Sequence, residues 1–360
     1  MADCFDYLEW RGDIPFAVSG INEIDGMILS RFAYSPFELV ASGGKMTIGE
    51  ASEKLLEIED LERYLVSKRD KELLSALPGA DRFSDLVFFG YENIMDKESE
   101  TQFSAVTVKL SPGLYYVAFR GTDDTFVGWK ENFNMSFTFP VPAQALAVQY
   151  LEKIARRVHG KIICGGHSKG GNLAVYAAAF CKKSVQNRIA AVENFDGPGF
   201  DARVLSDPGY VAIRERVRTF VPKSSVVGML LSHEEEYTIV DSSNSGLLQH
   251  DTYSWITLRT RFKYLEKVTD ASRFLDLTLK EWIASISEEK RERFIDALYG
   301  VISETRTDTL GEFSENWFLN TISIAKNLRK LDDETKRLLN EVLLSFAKGA
   351  GKTLYQELNN

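Results

Sequence analysis

A serine flanked by glycines, Gly166-His-Ser-Lys-Gly170, stands where the apolar stretch Lys161 to Gly165 gives way to the run Leu173 to Phe180. The first stretch reads as a strand and the second as a helix, so Ser168 falls on the turn between them. A serine in such a turn must take strained backbone angles that lift its hydroxyl above the sheet. Glycines are needed on either side because a Cβ there would strike the strand or the helix. The chemistry on offer is nucleophilic attack by the hydroxyl, with a covalent acyl intermediate. The bare pentapeptide would arise by accident in about one chain in ten of this length. Its weight therefore comes from the strand before it, the helix after it and the further glycines Gly165 and Gly171. A purely structural tight turn is the competing account.

An oxyanion formed beside Ser168 needs donors. The backbone N–H of Lys169 opens the helix and is backed by the helix dipole. A second donor is expected from the loop after an earlier strand, where Phe119-Arg-Gly-Thr-Asp-Asp124 offers a glycine and a hydroxyl, which makes Thr122 the candidate and an ordinary turn residue the alternative. The chain has four histidines. In the chain order nucleophile, acid, base, the two that precede Ser168 are set aside. His159 sits at a helix end, where a cationic cap is routine, and His167 is the variable position of the turn itself. His233 and His250 remain.

The elements that must position these residues follow from the apolar pattern. Short strands at Leu86 to Phe89, Ala105 to Leu110, Leu114 to Arg120, Lys161 to Gly165, Ile189 to Asn194, Val217 to Val221 and Tyr237 to Asp241 are interrupted by helical stretches. Those helices are Ala143 to Val158, Lys169 to Lys183 and Asp201 to Arg216. This alternation predicts the α/β class, a mainly parallel sheet covered on both faces. Residues 1–85 read as a mostly helical support, with Thr47 and Glu50 spaced as a capping box ahead of Leu55, Ile58, Leu61 and Leu65. Residues 86–256 form the core and residues 257–360 an amphipathic helical cap or subdomain.

Composition narrows the function. A net charge of −9 offers no positive field for nucleic acid. Cys4, Cys164 and Cys181 have neither disulfide-framework nor zinc spacing, so a reducing compartment and no metal or other cofactor are expected. The opening MADCFDYLEWRGD carries acids where an export signal carries Lys or Arg, and no apolar run reaches the roughly 20 residues of a membrane span. A cytoplasmic protein is expected. Oligomeric state is not legible.

Ala118-Phe-Arg-Gly-Thr122 followed by Trp129, then Gly165-Gly-His-Ser-Lys-Gly-Gly171, resembles the class 3 (fungal-type) lipases. There, an F-R-G-[ST] strand end stabilises the oxyanion and a G-H-S-x-G-G turn carries the nucleophile. Tyr7-Leu-Glu-Trp-Arg-Gly-Asp13, Asn194-Phe-Asp-Gly-Pro-Gly-Phe200 and Gln249-His-Asp251 are more similar still to an uncharacterised bacterial branch of those proteins. The resemblance implies an α/β-hydrolase-like sheet. It favours His250 as the base, in a loop after the last core strand, and leaves His233 as a surface or lid-side residue. The acid departs from the pattern: Ser225 stands where class 3 lipases carry Asp. Asn194-Phe-Asp-Gly-Pro-Gly-Phe200 resembles the turn in which pancreatic-type lipases carry theirs, which implies Asp196. An Asx-turn role for Asp196 competes, and Asp241 and Glu234 to Glu236 are reserves. Thr125 to Pro142 falls at the lid of those lipases, with Phe126, Trp129 and Phe133 as acyl-pocket candidates; the period-two alternation of Phe133, Met135, Phe137 and Phe139 reads equally as an extended segment burying one face. The resemblance implies ester hydrolysis on Ser168, His250 and Asp196. Thioester cleavage, acyl transfer and an inert interaction scaffold are the alternatives.

Overall fold

The computed structural model describes residues 1–40, 44–96, 98, 101–122, 140–225, 228 and 233–266, together with 287, 289, 290, 293, 333, 336 and 337. Phe126, Trp129 and Phe133, and nearly all of the expected C-terminal helices, lie outside the described residues. The chain divides into two compact units. One comprises Met1–Met95, Phe103–Gly121 and Ala143–Thr269; the other comprises Asp96–Gln102, Thr122–Pro142 and Asp270–Asn360.

The strands are β1 (Met46–Thr47), β2 (Val87–Asp96), β3 (Thr101–Ser111), β4 (Leu114–Phe119), β5 (Lys161–His167), β6 (Ile189–Phe195), β7 (Val217–Pro222), β8 (Tyr237–Val240), β9 (Thr257–Leu258), β10 (Arg261–Phe262) and β11 (Tyr264–Leu265). Among the described residues one sheet runs in the order β1-β2-β3-β4-β5-β6-β7-β8-β11, and β9 and β10 pair separately. From β4 to β8 each strand pairs in parallel with the next. Antiparallel pairs flank that block: β3 with β4, β1 with β2 and β11 with β8. The parallel block explains why β5 and β6 read as nearly unbroken apolar runs, since both their faces are covered. All seven expected strands are present, and the α/β class stands.

Helix boundaries were less legible. The Thr47–Glu50 capping box forms, with Thr47 N–H donating to Glu50 Oε2 at 3.0 Å and Glu50 N–H to Thr47 Oγ1 at 3.2 Å. The helix it opens stops at Leu56, however, and Leu61–Tyr64 is a separate 3-10 turn behind Asp60, whose φ is 56°. The expected helix Asp201 to Arg216 is two short ones, Ala202–Leu205 and Pro208–Ile213, each capped by its own Asp. Pro208 has no N–H to continue the first and is well placed to start the second.

Near the other end of the sequence, α1 (Cys4–Arg11) and α2 (Glu23–Phe32) join the sheet's own unit. Every residue of α2 from Ile24 to Phe32 is buried, and the helix lies against β4, β5 and β6. Its polar members are all partnered. Asp25 takes two hydrogen bonds from Arg82, at 2.6 and 2.8 Å, and one from Tyr7 at 2.7 Å. Gly26 passes close to Glu193 of β6, where a Cβ would stand 1.8 Å from the carboxylate. No helix among the described residues is long and apolar enough to cross a membrane.

Candidate active site

Strand β5 runs straight into the helix Lys169–Phe180, and Ser168 turns the corner with φ 57° and ψ −132°. The approach is tight enough to require the glycines. A Cβ on Gly166 would lie 2.3 Å from the carbonyl carbon of Gly170, and one on Gly170 would lie 2.1 Å from the Phe119 oxygen of β4. Ser168 is also the N-cap of its helix, yet its side chain makes no cap hydrogen bond. Asp3, Asn22, Thr47, Ser67, Asp201 and Asp207 all cap theirs. The strained backbone at Ser168 therefore serves something other than capping.

His250 ends the 3-10 turn Gly246–His250, and its Nδ1 lies 2.6 Å from Asp196 Oδ2. Asp196 follows the last residue of β6, is fully buried and has a φ of 53°. Its second oxygen accepts from the Ser225 hydroxyl at 2.5 Å and from the Gly228 N–H at 3.2 Å. The turn role open to Asp196 belongs instead to Asn194, whose Oδ1 accepts the Gly197 N–H at 2.9 Å. Ser225 is thus a donor to the carboxylate.

The loop carrying His250 is tied down on three sides. Trp255 Nε1 donates to the Gln249 carbonyl at 2.8 Å, Ser224 N–H donates to Gln249 Oε1 at 3.1 Å, and His167 Nε2 donates to the His250 carbonyl at 2.8 Å. The His167 and His250 rings are 4.6 Å apart between centroids, which brings His250 beside the serine turn. Among the described residues neither Ser168 Oγ nor His250 Nε2 makes a hydrogen bond.

Of the reserve carboxylates, Glu236 is exposed and the other three are engaged elsewhere. Asp241 is bonded to Lys223 at 2.6 Å and to Lys263 at 2.9 Å, and Glu234 lies 3.6 Å from Arg214. Glu235 accepts from Thr219 at 2.7 Å and Tyr210 at 2.5 Å and lies 2.9 Å from His233 Nδ1. Burial alone would raise Glu235, but the hydrogen bond and charge of His233, with the two hydroxyls, hold it at about 2. The expectation of a surface or lid-side His233 is corrected: its side chain is 5% exposed, and its Nε2 reaches the Gly228 carbonyl at 2.6 Å. The pair packs behind the loop that supports Asp196, an arrangement set by β7 and β8 and invisible to a reading of its acidic neighbours.

Of the two oxyanion candidates, Lys169 is the buried first residue of the helix, and Thr122 begins the part of the second unit that follows Gly121. Gly121 itself packs on the turn, since a Cβ there would be 2.5 Å from the His167 carbonyl and 3.2 Å from Ser168 Cβ. Among the described residues no group of three or more His, Cys, Asp or Glu could hold a metal ion. Sequence reasoning missed Arg31 and Tyr34, which reach His167 from α2 and the residues just after it. Charged Asp25 and Arg31 flanking the apolar run Met27 to Leu29 were the available signal.

A mainly parallel sheet with a strained serine turn between strand and helix defines the α/β-hydrolase-like fold. Residues 77–300 match the model of the Mbeg1-like family, and the chain belongs to that family. No curated protein matches. Among solved structures, the Rhizomucor miehei lipase propeptide complex is 12% identical, with 69% of this chain and 72% of that one covered at a TM-score of 0.39. The M37 lipase is 16% identical, with 56% and 68% covered at 0.36. A mutant form of MDLA from Penicillium cyclopium is 11% identical, with 68% and 86% covered at 0.38.

Proposed function

We propose that the chain is a serine hydrolase of carboxylic esters that works through an acyl-enzyme. The observation that carries this reading is the His250 to Asp196 hydrogen bond beside a serine whose strained backbone serves no capping role. In the proposed cycle His250 Nε2 takes the proton of Ser168 Oγ as the hydroxyl attacks the ester carbonyl, then returns it to the leaving alcohol. Asp196 holds the ring by Nδ1 and balances the imidazolium charge. The backbone N–H groups of Lys169 and Thr122 receive the oxyanion. Water then enters by the same base and releases the acid. Phe126, Trp129 and Phe133 are proposed to line the acyl pocket, and residues 257–360 to form a helical cap or subdomain.

Thioester cleavage and acyl transfer need the same groups and differ only in what leaves and what enters. An inert scaffold would rest on the missing class 3 Asp at Ser225, and the alternative carboxylate at Asp196 weakens that case. Cytoplasmic placement is supported by Cys4, Cys164 and Cys181, all buried free thiols. A fluorophosphonate probe tests the site. Covalent labelling of the folded protein that disappears in Ser168→Ala is the expected result. No labelling, or labelling unchanged in that variant, overturns the reading.

A further inference from the structure

His167, the residue before the proposed nucleophile, is buried with both ring nitrogens engaged. Nε2 lies 2.8 Å from the His250 carbonyl, a group that only accepts, so Nε2 carries the hydrogen. Nδ1 lies 3.5 Å from Arg31 Nη1, which only donates, and 3.1 Å from the Tyr34 hydroxyl, whose one hydrogen is shared between Nδ1 and the His167 carbonyl at 3.3 Å. Arg31 on one side and the His250 carbonyl on the other select one tautomer: neutral, protonated at Nε2 and bare at Nδ1. A proton on Nδ1 would face the guanidinium of Arg31.

Arg31 is fixed in turn. It is bonded to the buried Asp70 at 2.5 Å, and its guanidinium sits 4.4 Å from the Tyr34 ring centroid and 4.7 Å from that of Tyr253. Tyr253 also donates to Asp70 at 2.7 Å. Burial, then the charges of His250 and Arg31, push the His167 imidazole well below the usual histidine range. Burial pushes the Tyr34 phenol up to about 12, which keeps it a donor.

We infer that Arg31 and Tyr34 hold His167 as a neutral, Nε2-protonated positioning residue that carries the backbone of His250, and that the N-terminal segment is thereby part of the catalytic apparatus. Arg31, Tyr34 and Asp70 all precede the family match at 77–300. Neutrality has a use in the proposed cycle. His250 becomes an imidazolium during turnover, and a second cation 4.6 Å away would oppose that step. Asp70 offsets the charge of Arg31 itself.

The inference rests on the proposed hydrolase reading for its kinetic consequence but not for its structural content, and two measurements separate them. In the first, ¹⁵N-histidine NMR of the wild-type protein should show one of its four histidines neutral and Nε2-protonated throughout pH 5 to 8, assigned by its loss in His167→Leu. Tyr34→Phe should shift the Nδ1 resonance of that residue. A His167 that titrates in this range, or carries its proton on Nδ1, overturns the inference whatever the enzyme does.

The second measures turnover of a short-chain p-nitrophenyl ester. His167→Leu should lower kcat by about 10- to 100-fold with KM little changed, the scale of a misplaced catalytic group. His167→Gln, which keeps a donor at the Nε2 position, should restore most of the loss. Unchanged kcat in His167→Leu, or no difference between Leu and Gln, overturns the positioning role. If the phosphonate never labels Ser168, the hydrolase reading fails while the NMR result still decides the state of His167.

Discussion

Asp196 accepts three hydrogen bonds on two oxygens, one from His250 and two from the loop of Ser225 and Gly228, and the two sides should respond differently to substitution. Asp196→Asn should lower kcat by about 10⁴, because an amide stabilises the wrong tautomer and leaves the imidazolium charge unbalanced. Ser225→Ala removes one donor and leaves the carboxylate, so a loss near 10-fold in kcat is expected, the scale of one hydrogen bond to a charged group. Steady-state kinetics on one short-chain ester compares the two, and equal losses would contradict this division. Ser225→Asp in the Asp196→Asn background should recover part of the activity. Motif and resemblance singled out Ser168, His250 and Asp196, of which His250 and Asp196 are hydrogen-bonded to each other. That Ser225 donates to Asp196 was not legible, because this role depends on β6 and β7 lying side by side, which no local pattern reveals. Asp196 N–H bonds to the Phe220 carbonyl across that pairing at 2.8 Å.

At the scale of elements, strands were legible and helix ends were not. The parallel strands are buried on both faces, so each appears as an apolar run wherever it begins. Helix ends depend on single residues, as at Asp60 and Pro208, whose effect competes with a continuing apolar period. Helix α2 shows the other limit. Its polar residues Asp25, Ser30 and Arg31 are all buried, and only the tertiary partners Arg82, Tyr116 and Asp70 explain them. Gly26 is the point at which this helix meets the sheet, so Gly26→Ala should force α2 off β6. A loss of about 1–3 kcal/mol or more is expected from overpacking. Gly20→Ala, where nothing lies within 4 Å of the added methyl, is the control. A fall in Tm confined to Gly26→Ala supports the close approach, and equal Tm values would remove it.

For the whole molecule, Glu193 makes stability depend on pH. Burial pushes its carboxyl up to about 8, with the Tyr116 hydroxyl at 3.1 Å opposing the shift. The folded state therefore holds a proton that the unfolded chain releases near the ordinary glutamate value of about 4.3. The stability this group contributes is fully present below that value and is lost as pH rises toward 8, roughly 3 to 5 kcal/mol over the window. Glu193→Gln should flatten the fall: urea midpoints at pH 5 and pH 8 should converge in the variant and diverge in the parent. Depression of Glu235 to about 2 acts with the opposite sign, giving stability above the ordinary glutamate value that is lost as pH falls through 2. The positive φ of Ser168 has a consequence for how such a protein would evolve. The position costs the fold about 1–3 kcal/mol that glycine would not. Selection for heat resistance alone should thus pull its codon toward glycine, whereas Asp196, which accepts three hydrogen bonds in a buried loop, should stay. A library screened only for thermal survival should become more robust and lose ester turnover at position 168, with its folded shape intact.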